Sequence, residues 1–245
     1  MGRHERIAEL AGLDRPGLEI ADLASGAGRT VRALLRATAT TGNEPGRVHA
    51  VDAASNLDDE VLHDARVRSV LADLDEPLPF ADTSLDRVIS LNAAEHLDDP
   101  TAHLAECYRV LRPGGLLVLA HSDWDTALFA SADDALTRLL VDRFVSTVPQ
   151  FAERADGFMG RKLLGLATRS PFELVSADTW ADCHRRFDQG SVSWKVAMGV
   201  LAATKNDPEL ATRAVTWVEG LAELAAEGKF LFAVTDVALV LRRPE

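Results

Sequence analysis

The sequence predicts a doubly wound, Rossmann-like α/β fold with a mostly parallel sheet, on three observations. Short β-type segments alternate with amphipathic helical ones from residue 18 to residue 121. A glycine-rich turn, Ser25-Gly26-Ala27-Gly28, joins the first strand to the first long helix. The run Leu116–Ala120 is wholly apolar, as expected of a strand covered on both faces. Strand–helix–strand alternation at this spacing implies right-handed crossovers between parallel neighbours.

Taken in order, residues 3–12 read as a short helix ended by Gly12 and the Asp14–Gly17 turn. Leu18–Ala24 is the first strand. The next helix carries Val31, Leu34, Leu35 and Thr38 on one face at helical spacing. Arg47–Val51 follows as a strand closed by Asp52, then a helix over Asn56–His63 and a strand over Val67–Leu71. Leu85–Leu91 is the fourth strand, and the helix Thr101–Leu111 is stopped by Pro113-Gly114-Gly115 before strand five, Leu116–Ala120. Beyond His121, residues 131–148 read as a helix capped by a Ser131/Asp134 box, with Leu136, Leu139, Leu140 and Phe144 inward. Gly160–Thr168 is helical and Phe172–Trp180 a strand. Asp207-Pro208 opens a helix with an apolar stripe from Leu210 through Trp217 to Leu224, and Phe230–Leu241 is the last strand. The chain reads as one domain, 1–245, with helical cap insertions at about 122–170 and 188–228, both too long for plain connectors.

Composition narrows the function. Hydrophobic residues make up 47% of the chain and charged residues 26%, which is ordinary for a globular protein. Net charge is −12 with no basic stretch, which speaks against nucleic acid and anionic membrane surfaces as partners. Two cysteines at no metal-ligand spacing suggest a reducing, cytoplasmic setting and no metal. Neither a leader peptide nor a membrane span is expected.

The chemistry sits in the first βα turn, at the carboxyl ends of the strands where doubly wound sheets bind ligands. The NAD fingerprint is incomplete, because Val31 stands at the third glycine position. Asp22, at the end of the first strand, would oppose a pyrophosphate but suits a ligand carrying an ammonium group. Asp52, closing the second strand, is placed to accept two ribose hydroxyls.

The run Ile20-Ala21-Asp22-Leu23-Ala24-Ser25-Gly26-Ala27-Gly28-Arg29 resembles the first motif of class I S-adenosylmethionine (SAM) dependent methyltransferases. Val48–Asp52, Leu71–Leu74, Leu85–Leu97 and Arg109–Val118 are similar to that family's further segments, in the family's order. Arg109-Val110-Leu111-Arg112-Pro113-Gly114-Gly115 is the most specific of them. The tail, Trp217–Pro244, resembles the ubiquinone/menaquinone-type group, which also supplies small-molecule methyltransferases of natural-product pathways. The resemblance implies a seven-stranded sheet with an antiparallel last strand and SAM as cofactor, leaving S-adenosylhomocysteine as product. Its cofactor residues would be Asp22, Ala24, Ser25, Gly26, Gly28, Asp52, Ala53, Asp73, Leu74 and Asn92. Ala24 departs from the family's glycine, a change expected to be tolerable with negative φ. The N-terminal lid common in the group is not expected here, and the insertions or a second subunit of a homodimer are expected to cover the site.

For methyl transfer, His121 after strand five is the expected base, with His96 after strand four as a second choice. Trp124, Phe158, Trp194 and Met198 are the candidate acceptor pocket, whereas Trp217 reads as core. The expected function is methylation of a small molecule from secondary metabolism at O, N or C. A respiratory-quinone C-methyltransferase is the rival enzyme, and a SAM-binding fold with a ligand-binding or cyclisation role is the rival of another class.

Overall fold

The computed structural model describes residues 2–147 and 156–245. Helix α1 (Arg3–Leu10) precedes β1 (Glu19–Leu23), α2 (Arg29–Thr41), β2 (Arg47–Asp52), α3 (Asp59–Leu62), β3 (Val67–Leu71) and β4 (Leu85–Leu91). Then come α4 (Pro100–Val110), β5 (Leu111–Phe129), α5 (Asp134–Val145), α6 (Met159–Ala167) and β6 (Glu173–His184). Helices α7 (Val192–Ala203) and α8 (Pro208–Ala226) lead to β7 (Phe232–Arg242).

The strands form one seven-stranded sheet in the order β3-β2-β1-β4-β5-β7-β6. Neighbours from β3 to β5 pair parallel, with Ile20 facing Val48 on one side and Arg87 on the other. Chain order reverses on either side of β1, so its carboxyl end opens at the switch point. The last strand is antiparallel. Gly114 N–H donates to Arg243 O (2.9 Å) while Ala130 N–H donates to Leu231 O (2.8 Å), so the partner number falls as the strand number rises. Four of five β1 residues and six of seven β4 residues are buried, so both strands are covered on both faces, although β4 carries Asp86, Arg87 and Ser90.

The chain divides into two compact units. Met1–His121, Gly160–Thr179 and Val237–Glu245 make the first, and Ser122–Met159 with Trp180–Asp236 make the second. The expected insertions are therefore redrawn. Residues 160–170 belong with the first unit, where Leu163 and Ala167 of α6 are buried. Parts of β6 and β7 outside the expected insertions belong with the second. The cause is strand length: β5, β6 and β7 have 19, 12 and 11 residues, against about five or six for an ordinary strand. The second unit is cored by Phe129, Leu140, Val200, Trp217, Leu221 and Phe232. Trp217 meets Phe129 edge-on at 5.0 Å and donates its indole N–H to Thr137 Oγ1 (2.9 Å), so its reading as core is correct.

Three local expectations are corrected. The helix over 56–63 shrinks to Asp59–Leu62, because Asp58 N–H is drawn to Ala27 O (3.2 Å) in the glycine turn. Helix α5 is capped by Asp133, whose Oδ1 accepts from Leu136 N–H (2.8 Å), while Ser131 pairs with Thr137; Leu139 is 46% exposed, and residue 148 lies outside the described residues. Strand five starts at Leu111 and absorbs Pro113-Gly114-Gly115 as an irregularity, since Leu85 faces Leu111 but Arg87 faces Leu116.

That irregularity gives the most specific motif a structural job. Arg109 donates to Leu78 O, Phe80 O, Glu106 and Asp82, which pins the loop between β3 and β4. Arg112 pairs with the buried Asp86 at the amino end of β4. Gly114 sits at φ +73°, and a Cβ on Gly115 would stand 2.8 Å from Arg112 O. Arg243 reaches back from β7 to donate to the carbonyls of Tyr108, Arg109 and Leu111, where α4 ends.

Candidate cofactor and active site

The site residues of the first unit follow the carboxyl ends of β1, β2, β3, β4 and β5. The turn after β1 needs three left-handed residues: Ala24 (φ +57°), Gly26 (+52°) and Gly28 (+79°). Gly28 is irreplaceable on two counts, since a Cβ there would also stand 2.9 Å from Val61 Cγ1. The expectation of a negative φ at Ala24 is overturned. With a Cβ in the left-handed region, Ala24 carries roughly 1–2 kcal/mol of strain. Ala24→Gly is accordingly expected to stabilise the folded chain by about 1 kcal/mol after the entropy cost of glycine. Urea unfolding at pH 7 checks this, and an unchanged or lower midpoint would count against the strain.

Hydrogen bonds tie the turn to β2. Ser25 N–H donates to Val51 O (3.0 Å) and Gly26 N–H to Asp52 Oδ2 (2.8 Å). Asp52 Oδ1 accepts from Ala54 N–H (3.1 Å). Each carboxylate oxygen of Asp52 thus holds one backbone donor and keeps lone pairs for hydroxyls. Ala53 is exposed beside it.

Asp22 is only 2% exposed, and its Oδ2 has no hydrogen-bond partner. Burial, and then the nearby charge of Asp52, pushes its carboxyl up to about 8. The buried Ser25 hydroxyl in the same turn is also unpartnered. Buried polar groups are normally satisfied. Two orphans in one turn fit a ligand that donates there, and a cationic donor suits an acid better than a phosphate does.

Asp73, on the exposed loop after β3, accepts from Asp75 N–H (3.0 Å), with half-buried Leu74 beside it. Asn92 leaves β4 at φ +54° and donates its N–H to Ala120 O (2.9 Å), locking the ends of β4 and β5 together. Backbone strain of this kind concentrates at functional sites.

The two expected bases differ sharply. His121 is fully enclosed, with Nε2 3.7 Å from Glu95 Oε1, whereas the His96 side chain is 52% exposed with Nε2 3.4 Å from the same oxygen. Glu95, only 8% exposed, has no role in the sequence reading; its signal is an acid standing after the apolar Ala93-Ala94 pair just before a histidine. The expected acceptor-pocket residues all lie in the second unit. Trp124, Phe158 and Met198 pack partly buried against its core, with Trp124 edge-on to Phe144 at 6.4 Å. Trp194 is half-buried near the start of α7, its N–H held by the capping Ser191.

Comparison with known proteins agrees with this geometry. Residues 21–119 match the family described as "Methyltransferase domain". An uncharacterised 37.1 kDa protein of a Streptomyces fradiae transposon is 32% identical over 64% of this chain and 44% of its own length. An uncharacterised methyltransferase of Mycolicibacterium gilvum is 29% identical over 81% of this chain and 65% of its own. The chain thus spans less than half of the first of these relatives and just under two thirds of the second. Among solved structures, a candidate methyltransferase of Bacillus halodurans has a TM-score of 0.58 at 19% identity, covering 99% of both chains. Haemonchus contortus phosphoethanolamine N-methyltransferase 2, solved with phosphomonomethylethanolamine and S-adenosylhomocysteine, has a TM-score of 0.55 at 16% identity, covering 99% of this chain and 52% of that one. The motif residues, the strand order and the match over 21–119 together support a class I SAM-dependent methyltransferase.

Proposed function

We propose that the protein methylates a small-molecule acceptor, an intermediate of secondary metabolism, with SAM as the donor. The observation that carries the reading is the orphaned, buried carboxyl of Asp22 beside the Asp52-bound glycine turn. Asp22 would hold the ammonium of the cofactor's amino-acid end, Asp52 its ribose hydroxyls, and Asp73 with Leu74 its adenine. Bound SAM supplies a methyl group on a positively charged sulfur, which is already a good leaving group. The protein's own share is then mainly position and orientation, which can supply roughly 7–11 kcal/mol of a barrier.

A soluble acceptor is favoured over a lipid quinone on charge. A chain at −12 is repelled by anionic membrane surfaces, and no helix among the described residues is long and apolar enough to cross a membrane. The same charge disfavours nucleic acid.

Calorimetric titration with SAM, S-adenosylhomocysteine and NAD tests the cofactor reading. Both sulfur ligands are expected to bind and NAD is not. Asp52→Ala, shown folded by circular dichroism, is expected to lose at least tenfold in affinity, as charge-assisted hydrogen bonds are worth about 1.5–3 kcal/mol. A folded wild type that binds neither sulfur ligand would refute the cofactor assignment. Binding without turnover on phenols, amines and indoles would favour a ligand-binding or cyclisation role.

A further inference from the structure

The turn after β4 sets one carboxylate between two imidazoles. Glu95 lies on the single 3-10 turn Ala94–His96, and its Oε1 is 3.4 Å from His96 Nε2 and 3.7 Å from His121 Nε2. The arrangement is braced by the sheet. Leu91 faces Ala120 across parallel strands, and the Asn92–Ala120 hydrogen bond fixes the first residue of the turn segment against the end of β5. His121, the next residue of β5, is thereby held across from Glu95. The three groups grade from half-exposed His96 through buried Glu95 to enclosed His121. Other acids lie close along both elements: Asp98 follows His96 by two residues and Asp123 follows His121 by two.

A buried carboxylate is held in its charged form only by donors or cations around it. An imidazole oriented by a carboxylate, with another face toward solvent, is the usual arrangement of a general base. An enclosed ring has no such face, so His121 is poorly placed for the role first expected of it.

We propose that His96 and Glu95 work as one proton-handling unit: His96 takes the proton of the acceptor and Glu95 is the positioning residue that orients its ring, while the enclosed His121 stands 3.7 Å from the same carboxylate oxygen, beyond hydrogen-bond distance. The inference rests on the methyl-transfer reading and narrows it. The acceptor is a hydroxyl or N–H compound, one that must shed a proton when methylated. In the proton step the acceptor's O–H or N–H bond breaks, its electron pair stays on the acceptor atom, and an N–H bond forms on His96. From that exposed ring the proton passes to water.

Long-range proton–nitrogen NMR of the whole chain reads the tautomer of each imidazole and needs no acceptor. In Glu95→Gln the His96 ring nitrogens are expected to lose the shift pattern of a single tautomer held by a carboxylate. Glu95→Asp, which keeps the charge, is expected to restore part of it. His96 ring shifts unmoved by Glu95→Gln would overturn the unit. Should Glu95→Gln fail to fold, the half-exposed position makes His96→Ala the second arm. Its turnover with SAM and a panel of phenols and primary amines is expected to drop at least tenfold, with SAM affinity unchanged and partial recovery on adding imidazole. Undiminished turnover would equally overturn the unit. A wild type that binds no SAM would instead refute the methyl-transfer reading, and the NMR result would still judge the unit.

Discussion

Asp22→Asn is expected to weaken SAM binding at least a hundredfold while making the unliganded protein more stable, two effects of opposite sign from one oxygen. In the unliganded fold the carboxyl is buried, lacks a partner at Oδ2 and is raised from 3.8 to about 8 by burial and by Asp52. Its folded value lies above its unfolded one, so the folded chain binds more protons between about pH 4 and pH 8. Stability therefore falls as pH rises across that window and levels off above it. An asparagine cannot ionise, so the variant loses this slope. At neutral pH the gain is a few kcal/mol, at ~1.4 kcal/mol for each pH unit over which the carboxyl is forced to stay protonated. Binding has the reverse dependence. An ammonium group needs the carboxylate, so its binding drives a proton off Asp22, and wild-type affinity is expected to rise with pH up to about 8. Calorimetry at pH 7 in buffers of different ionisation enthalpy should register the released proton. Asp22→Asn is expected to show none and to bind at least a hundredfold more weakly. A variant that binds SAM like the wild type would remove Asp22 from the site. One that unfolds more readily in urea at pH 8 would show that the carboxylate is satisfied in the fold after all.

How much of this was legible in the sequence depended on whether the signal was local. β1, β2 and β4 are buried along most of their length, so apolar residues recur in them without strict alternation, and their ends are placed within a residue or so. Asp22 and Asp52 could be picked out because each stands at the end of such a strand. Ala24 shows the limit: residue type alone suggested an ordinary backbone, whereas the closure of the turn onto Val51 and Asp52 forces a left-handed one. Strand five was cut short because Pro113-Gly114-Gly115 looks like a break, and nothing local announces that Arg243, far along the chain, will pair with it. Glu95 went unassigned for a similar reason. Its meaning comes from His121, brought beside it by sheet pairing rather than by sequence spacing.

The same distinction between scaffold and site governs the second large effect, the loss of stability expected from Asp86→Ala. Asp86 is 2% exposed at the amino end of β4 and collects three donors: Arg15 Nη2 (2.7 Å), Arg112 Nη1 (2.5 Å) and Glu19 N–H (2.8 Å). Burial alone would raise its carboxyl, but the Glu19 N–H and the two guanidinium groups outweigh it and hold the group below its ordinary value. The arginine side chains are 57% and 42% exposed and can return to water, so the full penalty of a stranded buried cation does not apply. The Glu19 N–H at the start of β1 has no such exit, and an unsatisfied buried donor costs about 1–3 kcal/mol. With the lost charge-assisted bonds, an overall loss of about 2–4 kcal/mol is expected at pH 7. A folded value below the unfolded one means this contribution is complete above the unfolded value near 3.8 and fades as pH falls through the folded one. The gap between wild type and variant in urea unfolding should therefore close in acid. A gap as wide at pH 3 as at pH 7 would show that the loss comes from packing rather than charge. SAM affinity of the folded variant is expected to match the wild type, because Asp86 stands at the opposite end of β4 from Asn92, roughly 20 Å along the strand. Equal affinity with lower stability would establish that the Arg-Pro-Gly-Gly segment, the most specific part of the family resemblance, serves the sheet rather than the cofactor. A parallel loss of affinity would instead tie the two ends of β4 into one cooperative unit.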